Sequence, residues 1–67
     1  MEQFQVTNED GKSERYSRSG SGEVCWRESC FLGWNNHRIG KVKKLRDAID
    51  IAKSHLGGDT FEVEMVE

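Results

Sequence analysis

The sequence predicts a small single α+β domain: a four- or five-stranded, mostly antiparallel sheet with one amphipathic helix, at about residues 43–57, packed on one face, in the order β-β-β-β-α-β. Three observations carry this. Only one stretch, KKLRDAIDIAKSHLGG, shows a helical apolar period. Several short stretches alternate apolar and polar residues, the period of a half-buried strand. Between them lie turn residues, and the chain has seven Gly and no Pro, which suits short strands joined tightly.

In chain order, Gln3 to Thr7 puts Phe4 and Val6 on one face and Gln3, Gln5 and Thr7 on the other. That is a first strand with one wet face. Asn8 to Lys12 has turn chemistry, with Asp10-Gly11 as a hairpin signal. Ser13 to Arg18 returns as a polar second strand whose only apolar anchor is Tyr16, which suggests an edge position. Residues 17–22, SRSGSG, read as a flexible loop.

Glu23 to Trp34 is the richest apolar stretch. Val24 and Trp26 share a face, and Trp26 is expected in the core over the helix, because large aromatics dominate small cores. Glu28-Ser29 reads as a turn or a break in the strand, so the register here stays open. Asn35-Asn36 is the better hairpin turn by residue type. His37 to Val42 then returns with Ile39 and Val42 as core positions.

Within the helix, Leu45, Ala48, Ile49, Ala52 and Leu56 form one apolar stripe. Ile51 lies off it and reaches a flank of the core. Gly57 and Gly58 end the helix, since Gly takes a left-handed conformation without Cβ strain. A helix this short is marginal alone in water and must dock on something. Thr60 to Glu67 is the cleanest strand, with Phe61, Val63 and Met65 opposed to Glu62 and Glu64. The strand–helix–strand run from His37 to Val66 fits a crossover unit, right-handed if its two strands are parallel.

The helix N-terminus breaks the rules. No Ser, Thr, Asp or Asn stands just before Leu45 as a cap. Lys41, Lys43, Lys44 and Arg46 crowd the end that carries partial positive charge, where the macrodipole favours anions. This is either a solvated basic turn or a docking point for phosphate or acidic side chains.

The net charge of −2 conceals a polarised layout. Residues 1–10 carry −3, residues 11–46 carry +6 and residues 47–67 carry −5. A basic middle between acidic ends suits an electrostatically steered partner. Overall acidity argues against a generic nucleic-acid coat. No apolar run is long enough to span a bilayer, and the polar N-terminus does not read as a signal peptide. With two cysteines and no secretory signal, a reducing compartment is expected, and the cytoplasm is the default.

Cys25, Cys30, His37 and His55 are the right ligand types for zinc, but the spacing is poor: the two His lie too far apart, and the cysteines would face opposite sides of a strand. No metal and no cofactor is expected. Nor can a nucleophile, base and orienting group be named together, so no catalytic residue is assigned and an enzyme is not expected.

The binding candidates are Trp34, His37, Arg38, Lys41, Lys43, Lys44 and Arg46, aromatics interleaved with cations on adjacent strands. Trp34 sits beside a turn, where exposure next to His37 and Arg38 would make it a contact residue. An alternative acidic face comprises Glu62, Glu64 and Glu67, whose spacing could imitate phosphates in a nucleic-acid channel. The layout over about Arg15 to Gly57, basic strands followed by an amphipathic helix, resembles the small sheet-plus-helix DNA-binding domains of plant transcription factors and phage integrase arms. No diagnostic motif of theirs is present, and the acidic last strand has no counterpart.

The expectation is a small non-enzymatic binding or regulatory protein acting by macromolecular contact, of the kind that phages and mobile elements use to inhibit host protein complexes. Its partner is expected to be a protein, with nucleic-acid binding through the basic sheet edge and helix N-terminus as the alternative. No membrane partner is expected, and the chain is a monomer or a homodimer.

Overall fold

The structure, a computed structural model, describes residues 1–66. The elements are β1 (Glu2–Asn8), β2 (Ser13–Arg18), β3 (Glu23–Cys30), β4 (Gly33–Lys41), α1 (Leu45–Leu56) and β5 (Phe61–Val66). They build one five-stranded sheet in the order β4-β3-β2-β1-β5, with every neighbouring pair antiparallel. The single helix packs on one face. This is the α+β class and element order that the patterning predicts.

Antiparallel register places directly opposed residues on the same face. Phe4, Tyr16, Trp26 and His37 are opposed in turn across β1 to β4, which makes one continuous aromatic row under the helix. Phe4, Val6, Tyr16, Val24, Ala48 and Ala52 are fully buried, and Leu56 nearly so. Two alanines at the centre of the helical stripe let the backbone of α1 approach the sheet closely. Ile51 covers Gly40, where a Cβ would come within 2.8 Å of its Cδ1, so the flank position has a defined seat.

Three expectations need correction. First, β2 is the central strand rather than an edge, and Tyr16 is completely buried. The reason is that each residue on its inward face has a partner. Tyr16 OH meets His55 Nδ1 at 2.9 Å, Glu14 accepts from Trp26 Nε1 at 2.8 Å, and Arg18 pairs with Glu2 at 2.5 Å. A strand that looks polar can lie inside if its polar groups are satisfied.

Second, the chain neither turns at Asn35-Asn36 nor breaks at Glu28-Ser29. β3 runs unbroken to Cys30, the turn is Phe31-Leu32, and Gly33 carries the positive φ of 141°. The register is fixed by this turn: Cys30 opposes Gly33, Ser29 opposes Trp34, Glu28 opposes Asn35 and Arg27 opposes Asn36. Third, β5 does not pair with β4. It lies at the other edge, antiparallel to β1, and α1 carries the chain across the sheet. There is thus no parallel pair among the described residues.

The connection from β2 to β3 is short. Ser17 and Arg18 belong to β2, and Ser19–Gly22 close the turn through Ser19 N to Glu23 O and Gly22 N to Ser19 O, both 2.9 Å. The helix begins after Lys44, which is extended and makes no side-chain cap. It ends at Gly57, whose amide donates to Lys53 O at 2.9 Å and whose carbonyl accepts from Asn8 Nδ2 at 2.9 Å.

Candidate functional site

The β1–β2 and β3–β4 hairpins part beyond Arg15 and Arg27, each continuing its own pairing, β1–β2 to Thr7 opposite Ser13 and β3–β4 to Cys30 opposite Gly33. The three steps that β3 and β4 add beyond Arg27 form a free two-stranded arm. At its tip Phe31 is fully exposed and Leu32 is 92% exposed. Trp34, 43% exposed, stands at the base of the tip on the face away from the helix.

That open face is polar and built in rows. Glu64, Gln5, Arg15, Arg27 and Asn36 oppose one another across the sheet, from β5 to β4. Cys25 and Arg38 oppose each other in the next row. The Trp34 ring lies against two guanidinium groups, with Arg27 at 5.0 Å and Arg15 at 5.5 Å from its centroid. Arg27 also donates from Nε to Asn36 Oδ1 at 3.3 Å and from Nη1 to Gln3 Oε1 at 2.5 Å. An indole flanked by fixed arginines combines apolar area with charge-assisted donors, which is hot-spot chemistry.

The sequence candidates separate into groups. Trp34, Arg38 and Lys41 share the open face, Lys41 opposing Glu23 and Arg38 reaching Glu23 at 4.0 Å. His37 is on the opposite face, stacked on Trp26 at 5.1 Å and bonded to Glu28 at 3.0 Å. Trp34 therefore has Arg15 and Arg27 as neighbours in place of His37 and Arg38. Lys43 and Lys44 lie before α1, and Arg46 is exposed in its first turn. Glu62 and Glu64 are exposed at the acidic edge of the open face, and Glu67 lies outside the described residues.

Cys25, Cys30, His37 and His55 are not brought together: Cys25 faces the open side, Cys30 is at the arm tip, and the two His flank Trp26. Among the described residues no three His, Cys, Asp or Glu side chains converge on a point that could hold a metal ion. Both cysteines are free thiols. No helix of the described residues is long and apolar enough to cross a membrane.

Sequence reasoning missed Phe31, Leu32 and Arg15, and found Arg27 only as one of the cations interleaved with the aromatics. Two adjacent large apolar residues followed by Gly were the available signal for an exposed turn. They read instead as a continuation of the buried run.

The chain matches no known protein family, no curated protein and no solved structure.

Proposed function

We propose that this domain is a non-enzymatic, regulatory protein-binding module that docks through its β3–β4 arm. The observation that carries the reading is the complete exposure of Phe31 and Leu32 at a projecting tip, beside the half-exposed Trp34. A chain this short has few large apolar side chains for its core, and leaving adjacent ones in water costs solubility unless a partner covers them. Arg15 and Arg27 around Trp34 supply a polar rim, and Arg38 and Lys41 extend it along the open face. The partner is a protein offering an apolar cleft with carboxylates at its margin. An inhibitory role, in which the arm occupies a cleft that another macromolecule needs, fits this geometry.

The test is quantitative capture from lysate with wild type, with F31S/L32S, and with a charge-reversed K43E/K44E/R46E variant, each confirmed folded by circular dichroism. A partner retained by wild type and by the charge-reversed variant, but lost with F31S/L32S, supports docking through the arm. Equal capture by all three overturns it.

A second reading rests on a different observation, the stacking of Arg15 and Arg27 on Trp34 beside Asn36. Such a platform suits a single-stranded nucleic acid laid across the open face. Fluorescence anisotropy at two salt concentrations decides it. Binding whose log–log salt slope falls by about one unit on removing a phosphate-contacting cation supports this reading, and no binding at tens of micromolar on the order of nonspecific affinities removes it.

A further inference from the structure

At the end of the β3–β4 hairpin remote from the arm, the β2–β3 turn and the β4–α1 connection flank a cavity of about 420 Å³, lined by Arg18, Gly20, Ser21, Gly22, Lys41, Val42 and Lys43. We propose that this cavity is a binding site for a phosphate group carried by a small molecule.

The walls are fixed at their base by backbone contacts. Val42 N donates to Gly22 O at 2.8 Å, and Gly22 has φ +90° with its Cα so close to the residue after β4 that a Cβ would lie 2.4 Å from Val42 O. Arg18 Nη1 reaches Lys43 O at 3.3 Å and ties the second wall to β2. The base of the cavity at Gly22, Val42 and Lys43 is therefore held in place, while the apex at Gly20 and Ser21 would settle onto the ligand.

The charge balance selects an anion. Arg18 is matched by Glu2, and Glu23, which opposes Lys41 in the ladder, has Arg38 at 4.0 Å. Lys41 and Lys43 have no carboxylate within salt-bridge distance among the described residues, and neither do Lys44 and Arg46 just beyond. Two lysines without an ion-pair partner among the described residues thus line one cavity. Arg18 Nε is buried and has no hydrogen-bond partner among the described residues, which leaves one N–H donor of that paired guanidinium unused. At the turn apex the amides of Gly20 and Ser21 make no backbone hydrogen bond among the described residues, which leaves N–H donors at the rim. A phosphate monoester near neutral pH carries close to two negative charges and accepts on three oxygens, which matches two lysines and a row of amides.

The size points to a small ligand over a long polymer. A volume of about 420 Å³ is in the range of small-molecule sites, and the pocket is a half-open depression between the β2–β3 turn and the β4–α1 connection. Lys41 borders both surfaces, but the cavity uses none of Phe31, Leu32 and Trp34, so the docking proposal and this one can fail separately.

The test is a titration of the ¹⁵N-labelled protein, followed by amide shifts, with inorganic phosphate and with a 5′-mononucleotide, each against sodium chloride at matched ionic strength. Saturable shifts at Gly20, Ser21, Gly22 and Lys43 with the phosphates, and not with chloride, are expected. K41M and K43M keep the aliphatic stems, and each should weaken binding by about tenfold, the size of one lost charge-assisted contact. Tighter binding of the mononucleotide identifies a nucleotide phosphate, and equal binding identifies the free anion. Identical shifts in chloride, shifts confined to other residues, or full binding by K41M/K43M would overturn the proposal.

Discussion

The guanidinium of Arg27 holds the indole of Trp34 against the sheet, its carbon 5.0 Å from the ring centroid, while its Nε and Nη1 are committed to Asn36 and Gln3. The arginine thus ties the base of the arm to β1 through one side chain. An R27A/W34A double-mutant cycle on urea stability should return a coupling of about 0.5–1 kcal/mol, the range of a partly exposed cation–π contact. A coupling of zero would mean the stack is absent in solution.

Tyr16 and His55 make the helix-to-sheet hydrogen bond at 2.9 Å. With Nδ1 unprotonated, the phenol donates to it. Y16F removes that bond and leaves the ring, so a loss of about 1 kcal/mol is expected from chemical denaturation. Burial, and then the charge of Glu14, pushes the Tyr16 phenol up to about 12. A raised folded pKa means the neutral phenol favours the native state. Its contribution is intact below the ordinary tyrosine value of about 10 and is lost as pH rises toward 12. Wild type should therefore lose stability between those limits, and Y16F should show a flatter alkaline limb. Parallel alkaline limbs for the two proteins would remove Tyr16 from this role.

The exposed arm should be thermodynamically silent. F31S/L32S removes two apolar side chains that touch little, so unfolding free energy should change by less than about 0.5 kcal/mol. F4A, by contrast, empties the centre of the core and should cost about 3–5 kcal/mol, enough to unfold much of so small a domain. If F31S/L32S destabilised as F4A does, the tip would be a packed element and the docking proposal would lose its basis.

The fold was legible wherever one apolar face sufficed to define an element. The helical stripe from Leu45 to Leu56, the alternation of Phe4 and Val6, and that of Phe61, Val63 and Met65 each located an element correctly. Their partners were less legible. Val63 and Met65 are 37% and 49% exposed because α1 lies over β1 to β4 and covers only the Phe61 end of β5, which no local pattern encodes. Tyr16 looked marginal because its strand is polar, and only the long-range partners Trp26, Glu2 and His55 make that polarity tolerable inside. At the candidate site the same limit applied. Trp34 was identifiable from its place beside a turn, but Arg15 joins it from another strand, through a register that the turn at Phe31-Leu32 sets. Asn35-Asn36 has the better turn chemistry, yet Gly33 supplies a positive φ at no cost, and pairing from that point keeps Trp26 and His37 on the helix face.

The turn between β2 and β3 offers a contrast between two glycines. Gly22 has positive φ and no room for a Cβ, whereas nothing lies within 4 Å of the Cβ position of Gly20. G22A should cost about 1–3 kcal/mol through backbone strain and displacement of Val42. G20A should be within about 0.5 kcal/mol of wild type. We also propose that the apex retains the mobility expected of residues 17–22: in hydrogen exchange, Gly20 and Ser21 amides should exchange rapidly and Gly22, bonded to Ser19 O, slowly. Uniform protection across the turn would show a rigid loop.

Glu9 locks the approach to β5. Its carboxylate accepts from Asp59 N at 3.0 Å and from Thr60 N at 3.2 Å. These amides, together with that of Glu9 itself, which is the largest contributor, hold its pKa below the ordinary glutamate value. A depressed folded pKa means that the ionised form favours the native state. The contribution is therefore present above the unfolded value and is lost as pH falls through the folded one. E9Q keeps the shape but donates and accepts as a neutral amide, so it should lower the melting temperature at pH 7 while matching wild type at strongly acidic pH. Melting curves that stay equally separated from pH 7 down to pH 2 would show that charge is not what Glu9 contributes, and would leave packing at the α1–β5 connection as its role.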